Sequence, residues 1–269
     1  RNFNVLLNFF RKIVNAHFLK TRNHEVTFNF HMLNLNFGQV FQCPLVNTTV
    51  NAYKIPLSES TKRILLISDT HLGATIPAEQ AITLFSNELS NIVKKEGITM
   101  ICHLGDLVDG TFTEYMGTKV LNDVLTKVSD LQIPFYVFGG NHDRDFFTPL
   151  KFPKNPFVTP LKENAVVFEL PPRGKEEPQK IFLAHDLLNN YRVRDQYAYS
   201  FVSWIKQGCK QYIKPTDWLL TGHTHTSFIS YPSRLGCVGQ FSPEINVFGY
   251  AVLEFDQGDV CISTKLLPN

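Results

Sequence analysis

Aspartate, asparagine and histidine recur in this chain in five short blocks, and these are the residue types that hold divalent cations. In order they are Asp69-Thr70-His71, Gly105-Asp106-Leu107-Val108-Asp109, Gly140-Asn141-His142-Asp143, a single His185, and Gly222-His223-Thr224-His225. Carboxylate and imidazole without a nearby thiolate pair suit manganese, iron or zinc better than magnesium or a structural zinc. Asp106 has two oxygens and can bridge two ions, and Asn141 offers a neutral carbonyl oxygen. Two cations held side by side would suit hydrolysis of a phosphate ester. Any one block alone also reads as turn or capping chemistry. Five in series, each behind an apolar run, are hard to explain that way.

The apolar runs are the elements that must position these side chains. Residues i and i+2 of a strand point the same way. Asp69 and His71, leaving the strand Arg63–Ser68, are therefore expected to face one centre, and His223 and His225 to do likewise after Trp218–Thr221. Ligands from several strand ends converge in the crevice beyond a sheet, where open α/β folds place their sites. From Lys62 onward strands alternate with helices. Helices are expected over Pro77–Lys95 and Gly117–Leu131, and strands over Ile98–Leu104 and Ile133–Phe138. After Phe147 strands dominate: Ala165–Leu170, Lys180–Ala184, Ser227–Tyr231, Val247–Phe255 and Val260–Lys265. One helix over Arg194–Cys209 interrupts them. This order predicts an α/β fold with two stacked sheets and helices outside.

The series DTH, GDLVD, GNHD, H and GHTH resembles the calcineurin-like metallophosphoesterases over about residues 62–269. The resemblance implies a four-layer α/β/β/α sandwich and a dinuclear metal centre. It implies a first ion on Asp69, His71, Asp106 and His225, and a second on Asp106, Asn141, His185 and His223. It further implies His142 as the general acid and Asp109 as the group that orients it. Arg144 is the candidate for a phosphate contact. The implied reaction is hydrolysis of a phosphomonoester or small phosphodiester by attack of a metal-bound hydroxide, with Mn, Fe or Zn as the cofactor ions. The pattern departs from that of the protein serine/threonine phosphatases at Asp109-Gly110, where they carry an arginine. A nuclease of the same superfamily, or a scaffold that keeps the fold without catalysis, are the rival readings. Scaffolds tend to lose ligands, and none is missing here.

The remaining sequence bounds these readings. The chain has 269 residues, 43% hydrophobic and 19% charged, with a net charge of +2. That charge is too small to argue for nucleic acid as a partner. The five cysteines have no regular spacing, which favours free thiols and a cytoplasmic location. One sequon at Asn47 stands against that, and the chain begins at Arg1. Residues 1–60 are expected to form an N-terminal extension on a main domain of residues 61–269. Within it, residues 1–24 form a basic amphipathic helix suited to packing or to weak membrane-surface contact, residues 26–37 a bulged strand, and Thr48–Ile55 a second strand. Loops over Thr111–Thr118, Phe146–Pro160 and Leu187–Gln196 are expected to border the site. Phe112, Tyr115, Phe146, Phe147 and Tyr191 in them read as packing residues rather than a substrate wall. Tyr191, Arg192 and Arg194 are placed to meet an anion. His103, inside a strand, reads as a packed side chain.

Overall fold

Ile and Leu occupy successive positions of the strand Arg63–Ile67, and both of its faces are buried. A computed structural model describes residues 50–55, 57, 61–147, 155–170, 177–187, 198–256 and 259–266. The expected helix over 1–24, the bulged strand over 26–37, and Tyr191, Arg192 and Arg194 lie outside the described residues. In chain order the elements are β1 (Ala52–Ile55), β2 (Arg63–Ile67), α1 (Ala78–Glu96), β3 (Met100–His103), α2 (Glu114–Val128), β4 (Phe135–Phe138), β5 (Val158–Leu161), β6 (Ala165–Glu169) and β7 (Lys180–Ala184). They continue with α3 (Ala198–Gly208), β8 (Trp218–Thr221), β9 (Ser227–Ser230), β10 (Leu235–Val238), β11 (Phe241–Ser242), β12 (Val247–Asp256) and β13 (Asp259–Leu266).

The strands form two mixed sheets. A six-stranded sheet runs β1-β6-β7-β8-β10-β9, and a seven-stranded sheet runs β11-β12-β2-β3-β4-β5 with β13 also on β12. In β2, Ile64 and Leu66 join a core that includes Val166, Phe168, Ile181, Leu183 and Leu220 of the other sheet. Leu65 and Ile67 face the opposite way, into a core with Phe85 and Leu89 of α1 and Val120 and Val124 of α2. The period of two thus builds one core between the sheets and a second beneath the helices. Each fully buried Leu or Ile contributes roughly 1.5–3 kcal/mol relative to exposure. Helix α3 packs on β8 and β10 of the first sheet. The result is the layered α/β sandwich expected.

Several boundaries differ from expectation for local reasons. Helix α2 begins before Gly117 because the Thr113 hydroxyl accepts the Met116 N–H as an N-cap. It stops at Val128, and Ser129–Leu131 tighten into a 3-10 turn. The segment Thr111–Thr118 is therefore loop only in its first half. The loop expected over Phe146–Pro160 ends earlier, because Val158–Leu161 pairs in parallel with β4 despite Pro160. Strand β10 was not expected; Gly236 interrupts its apolar run. β1 is an edge strand, parallel to β6 with Ile55 opposite Phe168. Phe146 and Phe147 are buried and Phe112 packs against the same core, as expected, while Tyr115 is exposed. Cys102, Cys209, Cys237 and Cys261 are free thiols. Among the described residues no helix is long and apolar enough to cross a membrane.

Candidate metal centre

The five blocks lie just beyond the carboxyl ends of β2, β3, β4, β7 and β8. All five strands run parallel to a neighbour within the group, β2 to β3 to β4 and β7 to β8, so their ends open toward common ground. The reason Asp69 and His71 converge is not the one expected. β2 ends at Ile67, and both residues have left-handed backbone, with φ of 55° and 50°. Asp106 (φ 55°), His223 (φ 70°) and His225 (φ 57°) share that conformation. Five of the nine described non-glycine residues with positive φ are thus candidate ligands. Such backbone is costly for L-residues and persists where surrounding contacts over-determine it.

Those contacts are visible. The N–H groups of Asp69 and His71 donate to the carbonyls of Gly105 and Asp106 at 3.1 and 3.0 Å, stitching the first block to the second. The His223 N–H donates to both Asp69 oxygens, at 3.0 and 2.9 Å. The His142 N–H donates to Asp106 Oδ1 at 2.8 Å. Close approach demands glycine at two places. A Cβ on Gly140 would lie 2.2 Å from Asp106 Oδ1, and one on Gly222 would lie 1.9 Å from Ser68 Oγ.

With Oδ1 so held, Asp106 Oδ2 is turned toward two histidines, 3.2 Å from His185 Nε2 and 3.8 Å from His71 Nε2. Asn141 Oδ1 lies 2.9 Å from His185 Nε2 and 2.8 Å from His223 Nδ1. His225 Nε2 lies 3.5 Å from Asp69 Oδ1, and its ring centre 5.3 Å from that of His71. Two groups result. Asp69, His71 and His225 come together on one side, and Asn141, His185 and His223 on the other, with Asp106 between. His223 Nδ1 meets Asn141 while His225 Nε2 faces Asp69, in keeping with the separate ions that the resemblance implies for them.

The donor chemistry suits cations. His185 Nδ1–H donates to the Leu104 carbonyl at 2.9 Å, which leaves Nε2 as the atom facing two oxygens. Only a proton or a cation there makes that contact attractive. Burial disfavours the His185 imidazolium, but the Asp106 carboxylate outweighs it and raises the ring to about 10. Burial works against the Asp106 carboxylate too, and His185 and His71 more than offset that, holding it well below the usual range. Burial lowers His71, against the pull of Asp106 and Asp69, and so favours the neutral ring. Its Nε2 is buried without a hydrogen-bond partner, a lone pair suited to a metal.

Residues 62–246 match the calcineurin-like phosphoesterase family. The chain belongs to that family. It is also 34% identical over 85 residues to the DNA double-strand break repair protein Mre11 of Saccharolobus solfataricus, a match covering 30% of this chain and 22% of that protein. Among solved structures, it is similar to a dimetal phosphatase from Danio rerio, at 8% identity and a TM-score of 0.45, over 77% of this chain and 96% of that one. It is likewise similar to a Thermotoga maritima protein at 23% identity and a TM-score of 0.38, over 77% of this chain and 99% of that one.

The other expected members of this phosphoesterase site also lie nearby. His142 is exposed, and its ring stands edge-on to His71 with centres 4.7 Å apart. Asp109 Oδ1 accepts the Thr111 N–H at 2.9 Å, and Oδ2 lies 3.8 Å from His71 Nδ1. Ligand atoms of His71, Asp109 and His142 all fall within 4.8 Å of one another, so Asp109 lies beside both rings. Arg144 Nε donates to the Gly140 carbonyl at 3.1 Å, and Nη2 lies 3.6 Å from Asp186. His103 is packed as expected, its Nε2 2.8 Å from Thr70 Oγ1, and burial lowers it to about 3.

Asp143 of the third block reads from the sequence as a capping or orienting residue rather than a ligand, and Phe201 was not identified from it. The fully buried Asp143 carboxylate accepts the N–H groups of Asp106, Leu107, Val108 and Gly140, at 3.3, 2.6, 3.1 and 2.7 Å. It ties the second block to the third. Burial and the nearby Asp106 push it up to about 7, against those backbone donors. Phe201 of α3 lies against His223, with ring centres 5.6 Å apart and planes 33° off parallel. The capping of Gly140 by Asp143 is local, but its bonds to Asp106, Leu107 and Val108, and the Phe201 contact, depend on partners far along the chain.

Proposed function

We propose that this phosphoesterase hydrolyses a phosphomonoester or a small phosphodiester, using two divalent ions. Asp69, His71, Asp106 and His225 would hold the first ion, and Asp106, Asn141, His185 and His223 the second. The observation that carries this reading is Asp106, whose Oδ2 faces a histidine nitrogen from each group while Oδ1 is held by backbone. Mixed carboxylate, amide and imidazole donors favour Mn, Fe or Zn. Ions in such a pair neutralise phosphoryl charge and make water acidic enough to attack at neutral pH.

The chain's own groups do the rest. Asp69, Asp106 and His185 form a buried floor, and His142 and His225 stand at the exposed mouth. His142 is therefore the group that can hold a proton for the departing oxygen. Asp109, facing the rings of His71 and His142, positions both. Arg144, tethered to Gly140 and Asp186, reaches a phosphate oxygen from the rim.

A second reading, a nuclease, is favoured by the likeness to Mre11, confined to 85 residues. One experiment separates the readings. The metal-free chain is reloaded with Mn, Zn or Mg and offered mono-aryl phosphate, bis-aryl phosphate and single-stranded DNA, with Asp106→Asn as control. Turnover of the mono-aryl ester supports a monoesterase, and of the bis-aryl ester alone a diesterase. Cleavage of DNA alone supports the nuclease. Metal uptake with no turnover of any of them contradicts the hydrolase reading and leaves a scaffold.

A further inference from the structure

We propose that Glu244 is a positioning residue for the first ion, fixing the turn that follows His71 and so the geometry of the first ligand group. The proposal rests on the two-ion reading above.

Glu244 belongs to none of the five blocks and lies beyond the last of them. Its Oε1 accepts the N–H of Gly73 at 2.5 Å. Its Oε2 accepts the N–H and the hydroxyl of Thr75, at 2.9 and 2.8 Å, and the N–H of Ile76 at 3.3 Å. One carboxylate thus gathers the turn residues that begin two positions after His71. The Ala74 N–H closes the same turn by donating to the His71 carbonyl at 3.1 Å.

The other side of the block is held from the same segment. The Phe241 N–H donates to the Ser68 carbonyl at 2.9 Å, immediately before Asp69. Residues 241–244 therefore bracket Asp69-Thr70-His71 from both ends. Glu244 is itself fixed in a single 3-10 turn, Pro243–Ile245, opened by proline and closed by Asn246 in left-handed conformation (φ 58°).

Asp69 and His71 need such a bracket because both adopt positive φ. Left to itself, the chain would relax toward ordinary backbone and swing the His71 ring off the ion. Hydrogen bonds to a carboxylate are charge-assisted, so Glu244 is a strong restraint. The second group, built from the ends of β4, β7 and β8, receives none of these bonds. The effect of Glu244 should therefore fall mainly on the first ion and reach the second only through the shared Asp106.

The test is titration of the metal-free full chain with Co(II), followed by calorimetry and visible absorption. His225→Ala marks the phase that belongs to the first ion, and His223→Ala the phase of the second. Glu244→Ala should weaken the first phase about 10–100-fold, the range for residues that orient ligands, and Glu244→Gln should weaken it less. The second phase should weaken clearly less than the first, because the two groups share Asp106 and are coupled only through it and the His223 bond to Asp69. Reduced thermal stability with both phases unchanged would show a purely structural role and overturn the proposal. If Glu244→Ala does not fold, Glu244→Gln and Thr75→Val decide it: a weakened first phase supports the proposal, wild-type affinity overturns it. A wild-type chain that takes up fewer than two ions removes the two-ion reading, and this proposal with it. Two ions in the wild type with no effect of Glu244 remove this proposal alone.

Discussion

Asp106 and His185 face each other across 3.2 Å in the floor of the site, and both are almost wholly buried. Water reaches neither well, so their charges are weakly screened. Asp106→Asn keeps the shape and the bond from the His142 N–H but removes the anion shared by both groups. We expect it to lower kcat/KM by at least about 10³-fold, since charge stabilisation by both ions is lost. Metal content measured by mass spectrometry should fall in parallel. Activity within tenfold of wild type, at full metal content, would contradict the bridging role.

His142 is tested by the leaving group rather than by rate alone. A general acid contributes about 10²–10⁴-fold when the departing oxygen is basic, and little when it leaves readily as an anion. His142→Ala should therefore slow an alkyl phosphate far more than a nitrophenyl phosphate. Equal slowing of both would assign the ring to binding instead.

Asp143 carries a structural prediction. Its carboxylate satisfies four backbone N–H groups from two loops. Asn presents one acceptor oxygen and an NH₂ that cannot accept. Asp143→Asn should destabilise by about 2–3 kcal/mol, because buried donors lose their partner. Urea denaturation of the metal-free chain measures this. A change below about 0.5 kcal/mol would mean the loops are held by other contacts.

Glu96 sets an acid dependence away from the site. The Lys265 ammonium bonded to it at 2.6 Å outweighs burial and, with Arg63, holds its carboxyl below the usual range. A carboxylate depressed in the folded state binds fewer protons there than in the unfolded chain. Its contribution is therefore full above the unfolded-state value and is lost as pH falls through the folded-state value. Lys265 and Arg63 are each about a third exposed, so screening limits the contribution to about 1 kcal/mol. Wild type should exceed Glu96→Gln in urea midpoint at pH 7, and the gap should close toward pH 3. A gap independent of pH would contradict this account.

The sequence disclosed the layered fold through strands such as β2 and β3, whose unbroken apolar runs announce burial on both faces. It did not disclose β5, where Pro160 breaks the expected pattern, or β10, where Gly236 does. Asp69, His71, Asp106, Asn141, His185, His223 and His225 could be picked out because each follows such a run, and the structure brings them together. The cause of their convergence was misread. Alternation along a strand cannot describe residues with positive φ, and nothing local distinguishes an aspartate at φ 55° from one in a turn. Phe201 and Glu244 were silent for a related reason: each acts on residues distant in the chain, as does Asp143 in its bonds to Asp106, Leu107 and Val108.

The most direct test of the account is anomalous scattering from a crystal grown with manganese. The account predicts two peaks on opposite sides of Asp106, one against His71 and His225, the other against Asn141, His185 and His223. A single peak, or peaks that leave Asp106 uncoordinated, would contradict it.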